Sequence, residues 1–136
     1  EGFDVFIDLT CEGERDPYLA LLRELDPIGA RQILHWRFSF PDFGVPPHDE
    51  MVAALDTIDS SLAEGRKVYL HCVGGIGRTG TTVGCYLVRH GMQPVQALLH
   101  MRTLYTSAAQ SLFASHSPES TEQINFILNW VEHGLA

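Results

Sequence analysis

Apolar and polar positions alternate along this chain in short blocks, and the blocks follow two different periods. Val5-Phe6-Ile7-Asp8-Leu9 is a compact apolar run that reads as a strand, broken by the polar cluster from Thr10 to Asp16. Pro17 can open a helix at its first turn, and Leu19, Leu21, Leu22 and Leu25 give it an apolar face until Asp26-Pro27 stops it. Ile33 to Phe40 predicts a second strand. Pro41-Asp42-Phe43-Gly44-Val45-Pro46-Pro47 is incompatible with regular structure and predicts a loop. From Asp49 to Glu64 the period changes: Val52, Leu55, Ile58 and Leu62 recur at spacings of three and four, and Gly65 ends the helix they define. Lys67 to His71 predicts a short buried strand. Val83, Tyr86 and Leu87 mark a helix from Gly77 through Arg89, closed by Gly91, and Pro94 to Met101 predicts another. Residues 103–117 are polar and show no period. Ser117-Pro118-Glu119 then reads as an N-cap followed by proline at the first helical position, with Ile124, Ile127, Leu128 and Val131 facing inward. Strands alternating with helices predict an α/β domain with a central, mostly parallel sheet flanked by helices.

Composition narrows the class. The 136 residues suffice for one domain with its own core, and 45% hydrophobic with 19% charged residues describes an ordinary globular chain. A net charge of −8 argues against nucleic acid and against anionic membrane surfaces as partners, because both would repel it. No apolar run approaches the ~18 residues of a membrane span. Three cysteines, Cys11, Cys72 and Cys85, are an odd number that fits a reducing, cytoplasmic setting better than a disulfide framework. Neither they nor the seven histidines show metal-ligand spacing. The chain opens at Glu1 without a methionine and enters its first strand almost at once, as expected of a single domain, 1–136, that lacks an upstream segment.

One stretch departs from what stability alone would select. His71-Cys72-Val73-Gly74-Gly75-Ile76-Gly77-Arg78-Thr79-Gly80 joins the predicted strand to the predicted helix through a glycine-rich loop. Backbone N–H groups in such a loop, with the positive end of the helix dipole behind them, form an anion site. Three chemistries use that geometry. Gly75-x-Gly77-x-x-Gly80 matches a dinucleotide fingerprint, but that motif wants an acidic residue roughly 20 positions later, and none occurs between Glu64 and Glu119. The phosphate loop of nucleoside triphosphatases wants glycine where Cys72 stands and lysine where Arg78 stands. The third reading uses every unusual residue: donors at the helix start and Arg78 would stabilise a Cys72 thiolate, and the same donors would hold a phosphate against it.

His71-Cys72-x5-Arg78-Thr79-Gly80 resembles the signature of the cysteine-dependent protein tyrosine phosphatases, including the compact dual-specificity branch. Phe40-Pro41-Asp42-Phe43-Gly44-Val45-Pro46 is similar to the family's Trp-Pro-Asp acid loop, with Phe40 in place of the tryptophan. Ile7-Asp8-Leu9-Thr10 and Ser117-Pro118-Glu119 with Gln123 extend the likeness over nearly the whole chain. The resemblance implies the tyrosine-phosphatase fold and hydrolysis of phosphomonoesters through a phosphocysteine, without cofactor or metal. It implies Cys72 as nucleophile, Arg78 as the clamp on the phosphoryl oxygens, and Val73, Gly74, Gly75, Ile76 and Gly77 as the phosphate-binding loop. Thr79 would hydrogen-bond the departing thiolate, His71 would support the loop and the low cysteine pKa, and Gln123 would position the hydrolytic water.

Asp42 would be the general acid and base. A phenolate leaving group needs a proton, hydrolysis of the intermediate needs a base, and one carboxyl can do both in turn. Asp49 is the alternative carboxylate, although its place at a helix start suits a partner for the dipole. Cys11 could shield Cys72 in a reversible disulfide, or be an ordinary thiol. Because the loop carries no charge before Arg78, the expected partner is a phosphotyrosine protein or small phosphoester rather than a polyphosphate. The alternative from another class is a catalytically silent phosphate-binding scaffold of the same fold. Such relatives usually lose the cysteine, the arginine or the acid, and here all three are present.

Overall fold

A computed structural model of the chain describes residues 5–11, 33–72, 77–106 and 120–132, with the backbone alone for 104–106. The helix expected after Pro17 and the polar stretch from 107 to 119 lie outside the described residues. The elements run in the order β1 (Val5–Asp8), β2 (Leu34–Arg37), α1 (His48–Ala63), β3 (Val68–His71), α2 (Gly77–Arg89), α3 (Pro94–Thr106) and α4 (Thr121–Leu128). Among the described residues the sheet is three-stranded and parallel, in the order β2-β1-β3. The mostly parallel α/β domain expected from the pattern is the fold observed.

Register explains how the sheet builds both a core and a site. Ile7 lies opposite Trp36 and Leu70, and Val5 opposite Leu34 and Val68, so one face is apolar. Val5 and Ile7 are fully buried on it with Leu9, Phe40, Met51, Leu55 and Ile127. On the other face Asp8 lies opposite Arg37 and His71, which sets a carboxylate between a guanidinium and an imidazole. β2 stops at Arg37, short of the predicted Phe40. The chain nevertheless continues beside β1, with Phe38 N–H donating to Asp8 O and Phe40 N–H to Leu9 O.

The helices refine the sequence reading in four places. α1 is capped by Pro47 without a side-chain hydrogen bond, and Asp49 and Glu50 stand in its first turn. Gly65 and Gly91 take positive φ at the ends of α1 and α2, a conformation that only glycine adopts without strain. In α2 the buried side is not the expected Val83, Tyr86 and Leu87, which are half-buried, but Thr81, Thr82, Gly84 and Cys85. Thr81 and Thr82 donate their hydroxyls to Gly77 O and Arg78 O one turn back, which makes them compatible with burial. α3 runs past Met101 to Thr106, with Thr103 bonding Leu99 O in the same way. α4 begins at Thr121 rather than at Pro118. Ser120 and Gln123 form a reciprocal capping box that satisfies two terminal N–H groups. Gln123 and Ile127 are its buried residues, while Val131 lies past its end and is exposed.

α2 is the central helix, in contact with α1, α3, α4 and β3. It meets α4 at Gly84, where a Cβ would stand 2.5 Å from Ile127 Cδ1 and 2.9 Å from its Cγ1. Only glycine lets the two helices approach this closely.

Candidate active site

β3 ends at His71, Cys72 follows at the carboxyl edge of the sheet, and α2 opens at Gly77. Strand end and helix start therefore converge on Cys72 by topology alone, and the first N–H groups of a helix have no intrahelical partner. Val73, Gly74, Gly75 and Ile76 lie outside the described residues. Gly77 is buried as the first residue of α2.

Cys72 is 6% exposed. Thr79 donates its hydroxyl to Cys72 Sγ at 3.1 Å, so the two residues that the pattern placed seven apart meet across the loop. Arg78, in the first turn of α2, is almost wholly buried, which is costly for a cation unless its donors are used. Nη1 donates to Phe40 O at 3.2 Å, and Nη2 stands 3.6 Å from Asp42 Oδ1. Phe40 O also accepts from Cys11 Sγ at 3.5 Å. The acid loop and the start of α2 are thereby joined through one guanidinium. Asp42 is the carboxylate brought to Arg78, and its side chain is half exposed. Asp49 instead stands exposed on the first turn of α1.

The acid loop has a defined local structure. Gly44 N–H donates to Pro41 O at 3.2 Å, closing a turn in which Phe43 takes φ 61°. That third turn position favours glycine, so Phe43 sits there at a cost of about 1 kcal/mol or more. The turn is anchored on both sides: Phe40 is fully buried and bonded to Arg78, and Gly44 O accepts from Gln123 Nε2 at 3.1 Å.

His71 is buried and stacks on Tyr69, with ring centroids 5.2 Å apart. Across the sheet from it is Asp8, which sequence reasoning noted in a similar stretch but gave no role. Burial opposes ionisation of Asp8. The hydroxyl and amide of Thr10, the Arg37 guanidinium at 3.2 Å and the neighbouring His71 outweigh that burial and hold its carboxyl below the usual range. A charged, satisfied carboxylate thus braces the sheet edge from which Cys72 emerges. The signal in sequence was an aspartate ending an apolar strand with threonine two residues on, the pattern of a side chain that turns back to bond its own backbone. Gln123, expected near the hydrolytic water, is fully buried, with its amide between Ser120 N–H and Gly44 O.

A family profile described as "Polymorphic toxin system, DSP-PTPase phosphatase" matches residues 5–92, which span both the acid loop and the Cys72–Arg78 loop. The chain belongs to this cysteine-based phosphatase family. It is similar to the putative tyrosine phosphatase 067L of Invertebrate iridescent virus 3, 33% identical over 87 residues, covering 60% of this chain and 32% of that protein. It is also similar to the probable protein tyrosine phosphatase type IVA B of Dictyostelium discoideum, 34% identical over 76 residues, covering 53% of this chain and 47% of that one. Among solved structures it matches Tk-PTP in its active form with a TM-score of 0.73 at 26% identity, covering 90% of this chain and 74% of that chain. The chain spans from about a tenth to just over half the length of the curated relatives it matches. The phosphatase fold expected from the Cys72–Arg78 signature is the fold of these neighbours.

Among the described residues no group of three or more His, Cys, Asp or Glu side chains is arranged to hold a metal ion. No helix among them is long and apolar enough to cross a membrane.

Proposed function

We propose that the chain hydrolyses phosphomonoesters, foremost phosphotyrosine, through a phosphocysteine intermediate. The observation that carries this reading is the convergence of Cys72, Thr79, Arg78 and Asp42, linked at 3.1 and 3.6 Å, at the start of α2. In the first step the Cys72 thiolate attacks phosphorus, the S–P bond forms and the ester P–O bond breaks. Asp42, entering as the acid, gives its proton to the leaving oxygen. Arg78 and the N–H groups of the loop hold the three equatorial oxygens, where charge gathers in the transition state. In the second step water attacks phosphorus, the Asp42 carboxylate takes its proton, and the S–P bond breaks to return the thiolate. The Thr79 hydroxyl supports that sulfur as it leaves. His71 and the loop residues Val73 to Gly77 complete the cradle.

The uncharged loop and the acidic chain favour a single phosphate on an aromatic ring over a polyphosphate. The thiols of Cys11, Cys72 and Cys85 fit a cytoplasmic setting. The test is Cys72→Ser: turnover of phosphotyrosine peptide falls to background while vanadate still binds, because Arg78 and the loop amides remain. Full turnover in Cys72→Ser would remove the phosphocysteine step. A panel of phosphotyrosine peptides, phosphoserine peptides and inositol lipids tests the substrate class.

A further inference from the structure

The acid loop carries Asp42 but is not held by its own sequence, since its turn places Phe43 in a strained conformation. Its anchors come from elsewhere in the chain, and two of them come from α4 and its flank. Gln123, three residues into the capping box, is fully buried although it is polar. Its Oε1 accepts from Ser120 N–H at 3.2 Å and its Nε2 donates to Gly44 O at 3.1 Å. Only this orientation of the amide satisfies both, because the reverse would set oxygen against oxygen and N–H against N–H. At the far end of the same loop His48 Nε2 lies 2.6 Å from Val131 O, and its ring stacks on Trp130 with centroids 4.5 Å apart. The helix between these braces is the one locked onto α2 by the Gly84–Ile127 contact. α2 carries Arg78 and Thr79. α4 is thus the helix that touches both the loop carrying Asp42 and the helix carrying Arg78.

We infer that Gln123 is a positioning residue for the acid: through Gly44 O it latches the loop so that Asp42 stays in register with Arg78 and Cys72. This replaces the water-positioning role expected from the resemblance, and it rests on the proposed phosphatase reaction. A side chain with no exposed surface, its amide spanning a helix cap and a loop carbonyl, holds backbone rather than a transient water.

The experiment compares wild type, Gln123→Met, Gln123→Glu, Asp42→Asn and the Gln123→Met/Asp42→Asn double variant on phenyl phosphate and 4-nitrophenyl phosphate. Melting temperatures establish that each variant is folded. Acid–base catalysis contributes roughly 10²–10⁴-fold, and a loosened loop forfeits part of it. Gln123→Met is expected to lose about tenfold in kcat/KM on phenyl phosphate, with little change in kcat/KM on 4-nitrophenyl phosphate, whose phenolate leaves without a proton. It should cost nothing further in the Asp42→Asn background. Gln123→Glu keeps the acceptor for Ser120 N–H and regains a donor to Gly44 O only when protonated. Its phenyl phosphate rate, relative to wild type, should therefore rise as pH falls. A fall in kcat with a burst of 4-nitrophenol but an unchanged kcat/KM on phenyl phosphate would confine Gln123 to water in the second step and overturn the latch. A lower melting temperature with unchanged kcat on both would make it a cap only, and also overturn it. If Asp42→Asn itself shows no leaving-group dependence, the acid assignment falls and the latch with it. If Asp42→Asn shows that dependence and Gln123→Met does not, the latch alone falls.

Discussion

Replacing Arg78 by lysine keeps a positive charge at the start of α2 and removes the planar fork, which makes it the sharpest test of how the site holds phosphate. In the structure the guanidinium has two assigned directions: Nη1 toward Phe40 O at 3.2 Å and Nη2 toward Asp42 Oδ1 at 3.6 Å. A substrate phosphoryl group would engage the same planar edge through two parallel N–H bonds. Lysine, a compact ammonium on a flexible stem, can serve one of these directions well and not two in a plane. A hydrogen bond to a charged group contributes about 1.5–3 kcal/mol, and in this buried place little solvent remains to substitute for it. Losing one such bond in the transition state predicts a fall in kcat of about 10–100-fold, at about 1.4 kcal/mol per decade. The assay is steady-state turnover of 4-nitrophenyl phosphate, with vanadate inhibition and melting temperature measured on the same preparations. Vanadate, which takes up the trigonal-bipyramidal geometry of the transferring phosphoryl group, should lose affinity in parallel with kcat. An Arg78→Lys enzyme within threefold of wild type, with unchanged vanadate affinity, would mean that Arg78 only ties the acid loop to α2.

Three further outcomes follow from named contacts. Asp42→Asn should slow aryl phosphates in proportion to how poorly the phenolate leaves and flatten the basic limb of the pH–rate profile, whereas Asp49→Asn should leave both unchanged; turnover across leaving groups of graded acidity decides between them. Gly84→Ala should lower unfolding free energy by about 1–2 kcal/mol, because overpacking against Ile127 outweighs the gain in helix propensity, and Ile127→Ala in the same chain should remove the clash; urea denaturation reads both. Glu132 accepts from Arg89, which holds its carboxyl below the usual range against the effect of burial. A depressed folded pKa stabilises above the ordinary glutamate value of about 4.3 and loses that contribution as pH falls through the folded value. Glu132→Gln should therefore cost about 2 kcal/mol at pH 7, the order of one charged hydrogen bond, and the difference from wild type should shrink below pH 4.

What could be read in advance followed physical rules that are local in sequence. Strand β3, the Cys72–Arg78 loop and helix α2 form a continuous stretch, and their order alone puts a thiol at a helix start. The Gly65 and Gly91 helix ends were legible because positive φ has a residue signature. Asp42 and Arg78 lie far apart in the chain, and only the likeness of Phe40–Pro46 to an acid loop brought them together before the fold did. The buried positions that the apolar pattern does not mark share a different cause. Thr81, Thr82 and Gln123 are polar and buried, which hydrophobic periodicity scores as solvent-facing. Their burial is permitted by hydrogen bonds to Gly77 O, Arg78 O and Gly44 O, two of which are one turn back and one 79 residues away. Ser117-Pro118 predicts an N-cap three residues before the observed one, Ser120, whose capping box with Gln123 satisfies two N–H groups.

The proposed phosphocysteine can be caught directly. Wild-type protein and Cys72→Ala are mixed with excess 4-nitrophenyl phosphate, quenched in acid within the first turnovers, digested and read by mass spectrometry. Wild type should carry one phosphoryl group on the peptide containing Cys72, chased away on further incubation without substrate, and Cys72→Ala should carry no labelled peptide. A phosphoryl group on another residue, or undiminished turnover by Cys72→Ala, would contradict the phosphocysteine step.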